Sequence, residues 1–494
     1  MLIRSICQAL ILCLVCAVTF GQEQVEFNEN GLRFTRTVLA RDLEDPWCVE
    51  YGDDGFLWVA EAKGYRVLRV NPHNASRQVV LDINSARNFP RYDTIPDEKD
   101  GGKPWPQGGL MGMAIHPGFT AGKPYVYLTY VYEFAGVDRG GKGADPRDSG
   151  YYFLTKIVRY RFDSLAGRLT DPKLICDSIP SSNDHNGGRL AISRVRSTEY
   201  LFYSAGDMGA GQFDNAGRKN NAQDPKVYEG KILRFFTERA SGQSGTQSWI
   251  PPDNPFNGNR RNAVWSLGHR NPQGLVSMPL PGGAALIASE HGPYSDDEIS
   301  VIVKGGNSGH PLVIGYADGN YDDLAAGTTD KDSLPGKWNT TYPLIIDEKQ
   351  NARKLKNYQE PIISLYPTSR DSLVALMRAF QKGDTKDKDW ESLAPSGIAA
   401  YTSKLIPGWQ NSVLVTSLKH GVITRLQLNA SGGKVIKQET FFKAAARYRD
   451  ITVSSDGRTI FVVTDRSQIT SGPSKQNSKK SELTGAIIAF TYQP

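Results

Sequence analysis

The chain has 494 residues, of which 39% are hydrophobic and 22% charged, and this composition excludes a disordered, collagen-like or coiled-coil protein. Its 58 Lys and Arg against 52 Asp and Glu give a net charge of only +6, which argues against a dedicated nucleic-acid-binding protein. Because one core rarely keeps growing beyond about 300 residues, the length predicts several domains or a repeat architecture, and the 49 glycines favour repeats.

Residues 1–21 have the pattern of a secretory signal peptide. Arg4 precedes an apolar run over 6–20, and polar residues follow this run. The run is shorter than the roughly 20 residues needed to span a bilayer, so a cleaved signal is favoured over a membrane anchor. We therefore predict a periplasmic or secreted protein without stable membrane insertion.

From residue 56 onward, the sequence repeats one pattern: an apolar β-rich run, a polar end, a gap and a second β-rich run. The paired runs are 56–61 with 67–70, 125–130 with 156–160, 200–207 with 231–235, 285–290 with 298–302, 413–417 with 422–426, and 460–465 with 486–490. A single hairpin cannot bury its own faces, so such units must stack. This pattern predicts an all-β, six-bladed β-propeller that forms one domain over residues 22–494, in preference to a β-sandwich with accessory domains.

Polar residues follow several first runs where the strand is predicted to end. They are Glu61, Asp207, Glu290 with His291, Lys419 and Asp465. If these strands share one radial direction, the side chains meet at one mouth of the central channel. Turn capping explains the two aspartates but not the lysine or the histidine. We expect the long loops 86–109, 134–150 and 316–360 to help build a site at this mouth.

Three kinds of candidate functional residue lie in or near these segments. The first is a set of cations: Arg270, Lys419, Arg447 and Arg449. They are either ordinary surface charges or ligands of a polyanionic small molecule. His185, in a Gly-rich segment, is either a structural histidine or a general base. The acidic run 296–298 is either solvated or a source of oxygen ligands for Ca²⁺.

Common nucleotide and zinc motifs are absent from the sequence. It has no G-x-G-x-x-G that follows a strand and opens a helix, no P-loop, no H-E-x-x-H and no paired C-x-x-C. Dehydrogenases of the nicotinamide-Rossmann type, nucleotide triphosphatases and zinc enzymes are therefore disfavoured.

Eight ordered segments carry a resemblance to a known family: 107–112, 183–190, 206–207, 230–234, 267–275, 292–299, 417–419 and 447–450. Over about residues 43–490 the chain is similar to the pyrroloquinoline quinone (PQQ)-dependent glucose/sorbosone and aldose sugar dehydrogenases. The six-bladed propeller of that family agrees with the repeat pattern. The resemblance implies an enzyme that oxidises the anomeric carbon of an aldose to a lactone by hydride transfer to PQQ, and then reduces an external electron acceptor. A homodimer is expected only by analogy with the glucose enzymes.

The resemblance also implies roles for individual residues. His185 matches the general base, Asp207 the carboxylate that orients it, and Arg270 a residue that reaches both sugar and quinone. The residues that match the substrate pocket are Gln107, Asp184, Phe213 and Trp390. Those that match cofactor ligands are Arg270, Asn271, Lys419, Arg447 and Arg449. Because PQQ carries three carboxylates, it would be a common ligand for this set of cations.

Three Ca²⁺ sites are implied by the same resemblance. The first uses the carbonyls of Gly292 and Pro293, and its ion would polarise the quinone. The residues that match the other two sites are Glu298 with the Ser308 carbonyl, and Asp318 with the carbonyls of Ile314 and Tyr316.

Departures from the family pattern cluster on the substrate side. His291 stands where the glucose enzymes carry Gln, Phe213 where they carry Leu, and Asp387 where they usually carry Tyr. These changes leave the preferred sugar open. Two other functions remain as alternatives: a catalytically silent binding propeller that has lost the cofactor, and a Ca²⁺-dependent lactonase.

Overall fold

The computed structural model describes residues 24–88, 106–138, 149–239, 244–384, 390–466 and 482–494. The predicted signal peptide and Asp387 lie outside the described residues. In the part of the chain that is described, no helix has the length and apolar character needed to span a bilayer.

Antiparallel β-sheets account for most of the described chain. Two strands, β1 (Gln24–Glu29) and β2 (Leu32–Ala40), precede the first full blade. The strands of the first three blades are β3 (Pro46–Tyr51), β4 (Leu57–Glu61), β5 (Arg66–Val70), β6 (Arg77–Asp82); β7 (Leu110–Ile115), β8 (Tyr125–Asp138), β9 (Ser149–Asp163), β10 (Arg168–Ser181); and β11 (Gly187–Val195), β12 (Thr198–Ala205), β13 (Lys231–Phe236), β14 (Val264–Leu267).

The strands of the next two blades are β15 (Pro272–Met278), β16 (Ala285–Glu290), β17 (Asp297–Ile302), β18 (Ile363–Leu365); and β19 (Pro395–Tyr401), β20 (Ser412–Ser417), β21 (Ile423–Leu428), β22 (Val435–Phe441). The last sheet has the order β1–β2–β25–β24–β23 and contains β23 (Tyr448–Val453), β24 (Thr459–Thr464) and β25 (Ile487–Gln493).

The first strands of the six described sheets surround a common axis. β3, β7, β11, β15, β19 and β23 contact one another in that order, and β23 contacts β3 to close the ring. The sixth sheet joins strands from both ends of the described chain, because β2 pairs with β25. The predicted all-β, six-bladed propeller is therefore confirmed.

The six predicted strand pairs are the second and third strands of the blades. The innermost strands escaped the sequence reading because glycines and polar residues interrupt their apolar pattern, as at Gly187 and Gly188 in β11. Outer strands escaped it because they are largely exposed, as in β22. The segment 134–150, expected to be a loop, is partly strand, because β8 and β9 remain paired at Phe134 and Phe153.

Aromatic side chains fill the spaces between blades. Phe442 stacks on Phe490 with ring centroids 4.1 Å apart and meets Phe34 edge-on at 4.9 Å, which joins the fifth and sixth sheets. Trp58 of the first blade packs edge-on against Phe162 of the second at 5.2 Å. These apolar seams hold the blades in place, so the polar groups on the axis need not supply the main packing energy.

Two helices, among the residues described, lie between β17 and β19: α1 (Glu348–Lys354) and α2 (Arg370–Gln381). Asp347 accepts the Gln350 N–H at 2.8 Å and caps α1. Apolar residues at helical spacing, including Leu373, Met377 and Phe380, turn one face of α2 inward. The helix thereby becomes a wall of the loop region above the fourth blade.

A buried ion pair crosses the channel. Arg189 of β11 places Nη1 2.6 Å from Oδ2 of Asp450 in β23, and its Nε donates to the Gln273 carbonyl in β15 at 3.0 Å. Asp450 also accepts the Val49 N–H of β3 at 2.8 Å. Four of the six innermost strands are therefore linked through one pair of side chains.

Glu50 of β3 lies beside this pair, and its ionisation is expected to lower stability as pH rises. Burial and the negative charge of Asp450 raise the pKa of Glu50 from 4.5 to about 8, although Arg189 opposes the shift. The unfolded chain therefore loses this proton first, and the free energy of unfolding falls between pH 4.5 and about 8. Urea titrations of wild type and Glu50→Gln across this range should show a flatter pH profile for the variant. Parallel profiles would contradict the prediction.

Candidate active site

The polar residues predicted at strand ends do lie at corresponding ends of the second strands. Asp207 follows β12, His291 follows β16 and Asp465 follows β24. The Asp207 N–H donates to the Arg270 carbonyl at 2.7 Å, which joins the third and fourth blades at this end of the channel. Glu61 has a local role instead, since it accepts the Glu44 N–H at 3.0 Å and pairs with Arg66 at 2.8 Å.

His185 and Asp207 form a buried pair. Nδ1 of His185 lies 2.7 Å from Oδ1 of Asp207, whose side chain is fully buried. Burial acts to raise the pKa of Asp207, but the charge and hydrogen bond of His185, with those of His310, outweigh it and lower that pKa well below its ordinary value. Asp207 is therefore an anion that holds the proton of His185 on Nδ1, which leaves Nε2 as the basic nitrogen.

Tight backbone packing presents His185 in this orientation. Its backbone has a positive φ of 50°, and its N–H donates to Oδ1 of Asp184 at 3.0 Å. A Cβ added to Gly206 would lie 1.9 Å from the His185 carbonyl oxygen, so only glycine fits beside this turn. The Gly-rich surroundings noted in the sequence thus serve close backbone approach.

Gln212 was not identified from the sequence, yet it connects the predicted catalytic residues. Its Nε2 lies 3.0 Å from Nε2 of His185, and its Oε1 accepts a hydrogen bond from Nη2 of Arg270 at 2.8 Å. An amide N–H that faces Nε2 of His185 needs an acceptor there, which agrees with a proton on Nδ1. Gln212 follows a short Gly-Ala-Gly turn, the only signal in the sequence that marks it.

Gln107 and Asp184 lie beside the His185–Asp207 pair. Gln107 donates from Nε2 to Oδ1 of Asp184 at 3.2 Å, and its Oε1 accepts the Asn186 N–H at 3.0 Å. Asn271 accepts the Gly187 N–H on its Oδ1 at 3.2 Å. Gln107 and Asn271 thus contact the loop that contains Asp184 and His185, although each lies in a different loop.

A second group of predicted residues surrounds Asp465. Arg449 donates to both carboxylate oxygens of Asp465 at 2.7 and 2.6 Å, and Arg447 donates to Oδ2 at 3.1 Å. The Arg449 guanidinium also stacks on the Trp47 ring at 4.0 Å. Two buried guanidiniums share this one carboxylate, and within the described residues Nη1 of Arg447 has no hydrogen-bond partner. This excess of buried positive charge is suited to a carboxylate ligand.

His291 lies between the two groups. Burial and the positive charges of Arg270, His185 and Arg449 lower the pKa of His291 well below its ordinary value. Nη1 of Arg270 donates to the His291 carbonyl at 3.2 Å. The predicted base and two of the predicted cofactor cations, Arg270 and Arg449, therefore act on the same buried side chain.

Aromatic residues form a wall on the α2 side. Phe213 meets Phe380 edge-on with centroids 6.4 Å apart, and Phe380 lies 5.3 Å from Tyr294. Tyr294 in turn meets Trp390 edge-on at 5.7 Å, and Nζ of Lys419 lies 5.3 Å from the Trp390 ring. The predicted residues Phe213 and Trp390 lie at opposite ends of this wall, whose middle the sequence reading missed.

The predicted metal-ligand segments are tightly folded. A Cβ on Gly292 would lie 1.8 Å from the Ser295 carbonyl oxygen, so the turn that contains Pro293 requires glycine. Glu298 accepts the Gly315 N–H at 3.0 Å, next to Ile314. Glu348, which the sequence reading missed, accepts the N–H groups of Ile314 and Gly319 at 3.0 Å each, on either side of Tyr316 and Asp318.

The Ca²⁺ sites remain predictions. Within the described ranges, no group of three or more His, Cys, Asp and Glu side chains is placed to hold a metal ion. Most of the predicted ligands, such as those at Gly292, Pro293 and Ser308, are backbone carbonyls, which such a cluster does not include.

The chain is similar to proteins of one known family. The sequence model of the Glucose / Sorbosone dehydrogenase family matches residues 43–339 and 347–470. Quinoprotein glucose dehydrogenase B of Acinetobacter calcoaceticus is 32% identical over 481 residues, which cover 93% of this chain and 91% of that protein. Aldose sugar dehydrogenase YliI of Escherichia coli is 26% identical over 367 residues, 73% of this chain and 75% of that protein.

Solved structures share the fold. The PQQ-bound aldose sugar dehydrogenase from Streptomyces coelicolor superposes with a TM-score of 0.57 at 21% identity and covers 92% of this chain and 96% of its own. The apo form of the soluble aldose sugar dehydrogenase from Escherichia coli superposes with a TM-score of 0.60, also at 21% identity, over 93% of this chain and 100% of its own.

Proposed function

The chain belongs to the glucose/sorbosone dehydrogenase family, and from this premise we propose that it oxidises the anomeric carbon of an aldose to a lactone with PQQ. The observation that carries the proposal is the pairing of His185 with Asp207 beside buried cations, with His291 between the two groups. A binding module has no evident use for a buried base, and a Ca²⁺-dependent lactonase would not need this pocket of buried cations.

The residues present fit PQQ. Arg447 and Arg270 each have a buried N–H that lacks a partner among the described residues, and Arg449 shares the carboxylate of Asp465 with Arg447. A cofactor with three carboxylates would satisfy such donors. We therefore assign Arg270, Asn271, Lys419, Arg447 and Arg449 as the residues that would hold it.

His185 supplies the proton chemistry of the proposed reaction. Its Nε2 accepts the proton of the anomeric hydroxyl while the hydride leaves the same carbon, so that the sugar loses two electrons and becomes a lactone. Asp207 stabilises the imidazolium that forms and keeps its orientation. When bound, PQQ supplies the hydride acceptor, and a Ca²⁺ ion held by the carbonyls of Gly292 and Pro293 would polarise it.

The other side chains orient the sugar and the developing charge. Arg270, held by Gln212 and by the His291 carbonyl, stabilises negative charge opposite the base. Gln107 and Asp184 offer hydrogen bonds to sugar hydroxyls, and Phe213 and Trp390 offer apolar faces to the ring. Phe213 is 47% exposed, so a substrate can cover it.

Export, an external electron acceptor and a homodimer complete the proposal. The pattern of residues 1–21 supports export to the periplasm or the exterior. Sugar oxidation delivers two electrons in each turnover, so the reduced enzyme needs an acceptor. The dimer rests only on analogy with the family.

Reconstitution is the experiment that tests the proposed function. Purified protein mixed with PQQ and Ca²⁺ is expected to reduce a redox dye with at least one aldose from a panel of hexoses and pentoses. Protein given Ca²⁺ alone is the control and should remain inactive. If no sugar supports dye reduction and the quinone absorbance does not change on mixing, the chain is a binding propeller and the proposal is wrong.

A further inference from the structure

The carboxylate of Asp207 lies between two imidazoles, not one. Its Oδ1 is 2.7 Å from Nδ1 of His185, and its Oδ2 is 2.8 Å from Nε2 of His310. His310 lies in the loop between β17 and α1, where no motif of the sequence marked it. Both imidazoles are buried, so water does not compete for these contacts.

In the hydrogen bond between His310 and Asp207, His310 is the donor and the carboxylate is the acceptor. A buried carboxylate that is ionised can only accept, so Nε2 of His310 carries the proton of this hydrogen bond. Nδ1 of His310 is buried and, among the described residues, has no hydrogen-bond partner. His310 is therefore an Nε2–H donor to Asp207 across the 2.8 Å contact.

Other groups immobilise the same carboxylate. Tyr342 donates its hydroxyl to Oδ2 at 3.2 Å, Asn220 donates Nδ2 to Oδ2 at 2.9 Å, and the Gly209 N–H donates to Oδ1 at 3.0 Å. The His310 ring also meets the Tyr342 ring edge-on, with centroids 5.7 Å apart. His310 is one of three side chains that donate to Oδ2, and its rigid ring is the nearer of the two ring donors, so a change at this position is expected to alter the direction of the carboxylate.

We propose that His310 is a positioning residue that acts through Asp207: it aims the carboxylate at Nδ1 of His185 and so keeps Nε2 of His185 unprotonated. This inference rests on the proposed function, which assigns His185 as the base. His310 touches neither sugar nor cofactor in this account. Its effect must therefore disappear when Asp207 can no longer orient His185.

Paired substitutions of His310 test the inference by activity. His310→Phe keeps a ring but removes the donor, and it is expected to lower kcat by about 10- to 100-fold while the KM for sugar changes less than about twofold. His310→Gln restores an N–H near the same place and should recover most of the rate. In an Asp207→Asn background, His310→Phe should have little further effect, because residues that act through one another are not additive. Unchanged kcat in His310→Phe, or fully additive losses, would overturn the inference.

Nitrogen-15 NMR of the histidines gives a readout without turnover. In the PQQ-free wild type, His185 should carry its proton on Nδ1 and His310 on Nε2, with the His185 signals assigned by their loss in His185→Asn. In His310→Phe, the His185 signals should shift toward a mixture of tautomers, while PQQ affinity stays within about twofold.

The two readouts separate the inference from the proposed function. If His310→Phe shifts the tautomer of His185 but the wild-type protein oxidises no sugar, the inference is supported and the proposed function is wrong. If the enzyme is active but His185 keeps one tautomer in His310→Phe, the proposed function is supported and the inference is wrong. Should His310→Phe fail to fold, the wild-type spectrum alone decides, because an unprotonated Nε2 of His310 or a proton on Nε2 of His185 contradicts the inference.

Discussion

His185→Asn is expected to lower kcat for aldose oxidation by roughly 100-fold or more, the usual contribution of a positioned general base. The variant loses the basic Nε2 that faces Gln212, while Asp207 keeps its hydrogen bonds to His310 and Asn220. Steady-state dye reduction by the PQQ- and Ca²⁺-loaded variant measures the effect. PQQ affinity, followed by the quinone absorbance, should change little because the cations around Asp465 are intact.

His73 provides a matched control for the His185 experiment. Its side chain is exposed and lies on the first blade between β5 and β6, so His73→Asn should retain wild-type kcat. Turnover near the wild-type rate in His185→Asn would refute the assigned mechanism, whatever the family of the protein. A loss of PQQ binding in the variant would instead place His185 in the cofactor pocket.

Asp465→Asn is expected to lower the free energy of unfolding of the PQQ-free protein by about 3 to 5 kcal/mol, because it leaves buried guanidiniums without their counter-ion. Burial acts to raise the pKa of Asp465, but the charges and hydrogen bonds of Arg449 and Arg447 outweigh it and lower that pKa. The carboxylate is therefore ionised at neutral pH and compensates both cations. Urea denaturation at pH 7 measures the loss.

Glu199→Gln is the corresponding surface control. Glu199 pairs with Arg194 at 2.9 Å, but the Arg194 side chain is 66% exposed, so the substitution should cost less than about 1 kcal/mol. A similar small loss in Asp465→Asn would show that water or other groups compensate Arg447 and Arg449, and the argument for a carboxylate ligand in this pocket would weaken accordingly.

The strands that the sequence revealed are those whose environment is uniform. β12 and β24 lie between other strands of the same sheet and between neighbouring blades, so the middle of each strand, at 200–203 and 460–463, is apolar without interruption. β11 and β15 border a polar channel on one edge, and their glycines and prolines hide the strand pattern. Local preference therefore finds the middle of each blade and misses its inner edge.

The residues of the candidate site also fall into two groups: those that the sequence marked and those that only the structure identified. Asp207, His291 and Asp465 were marked in the sequence because each polar side chain stands at the end of an apolar run. Gln212 and His310 carry no such signal, since Gln is common in turns and a lone histidine has many uses. Their importance arises from what they contact.

Residue order alone therefore contains the strand repeat, its number and the chemical character of the channel mouth, because burial periodicity and strand-end charges are local properties. It does not contain the contact between Asp207 and His310, which joins positions 103 residues apart. Nor does it contain the sharing of Asp465 by Arg447 and Arg449, which depends on the register between β23 and β24 within one blade. Such contacts form only when strands pair in register or blades pack, since each requires two or more chain segments to be brought to one point and shielded from water.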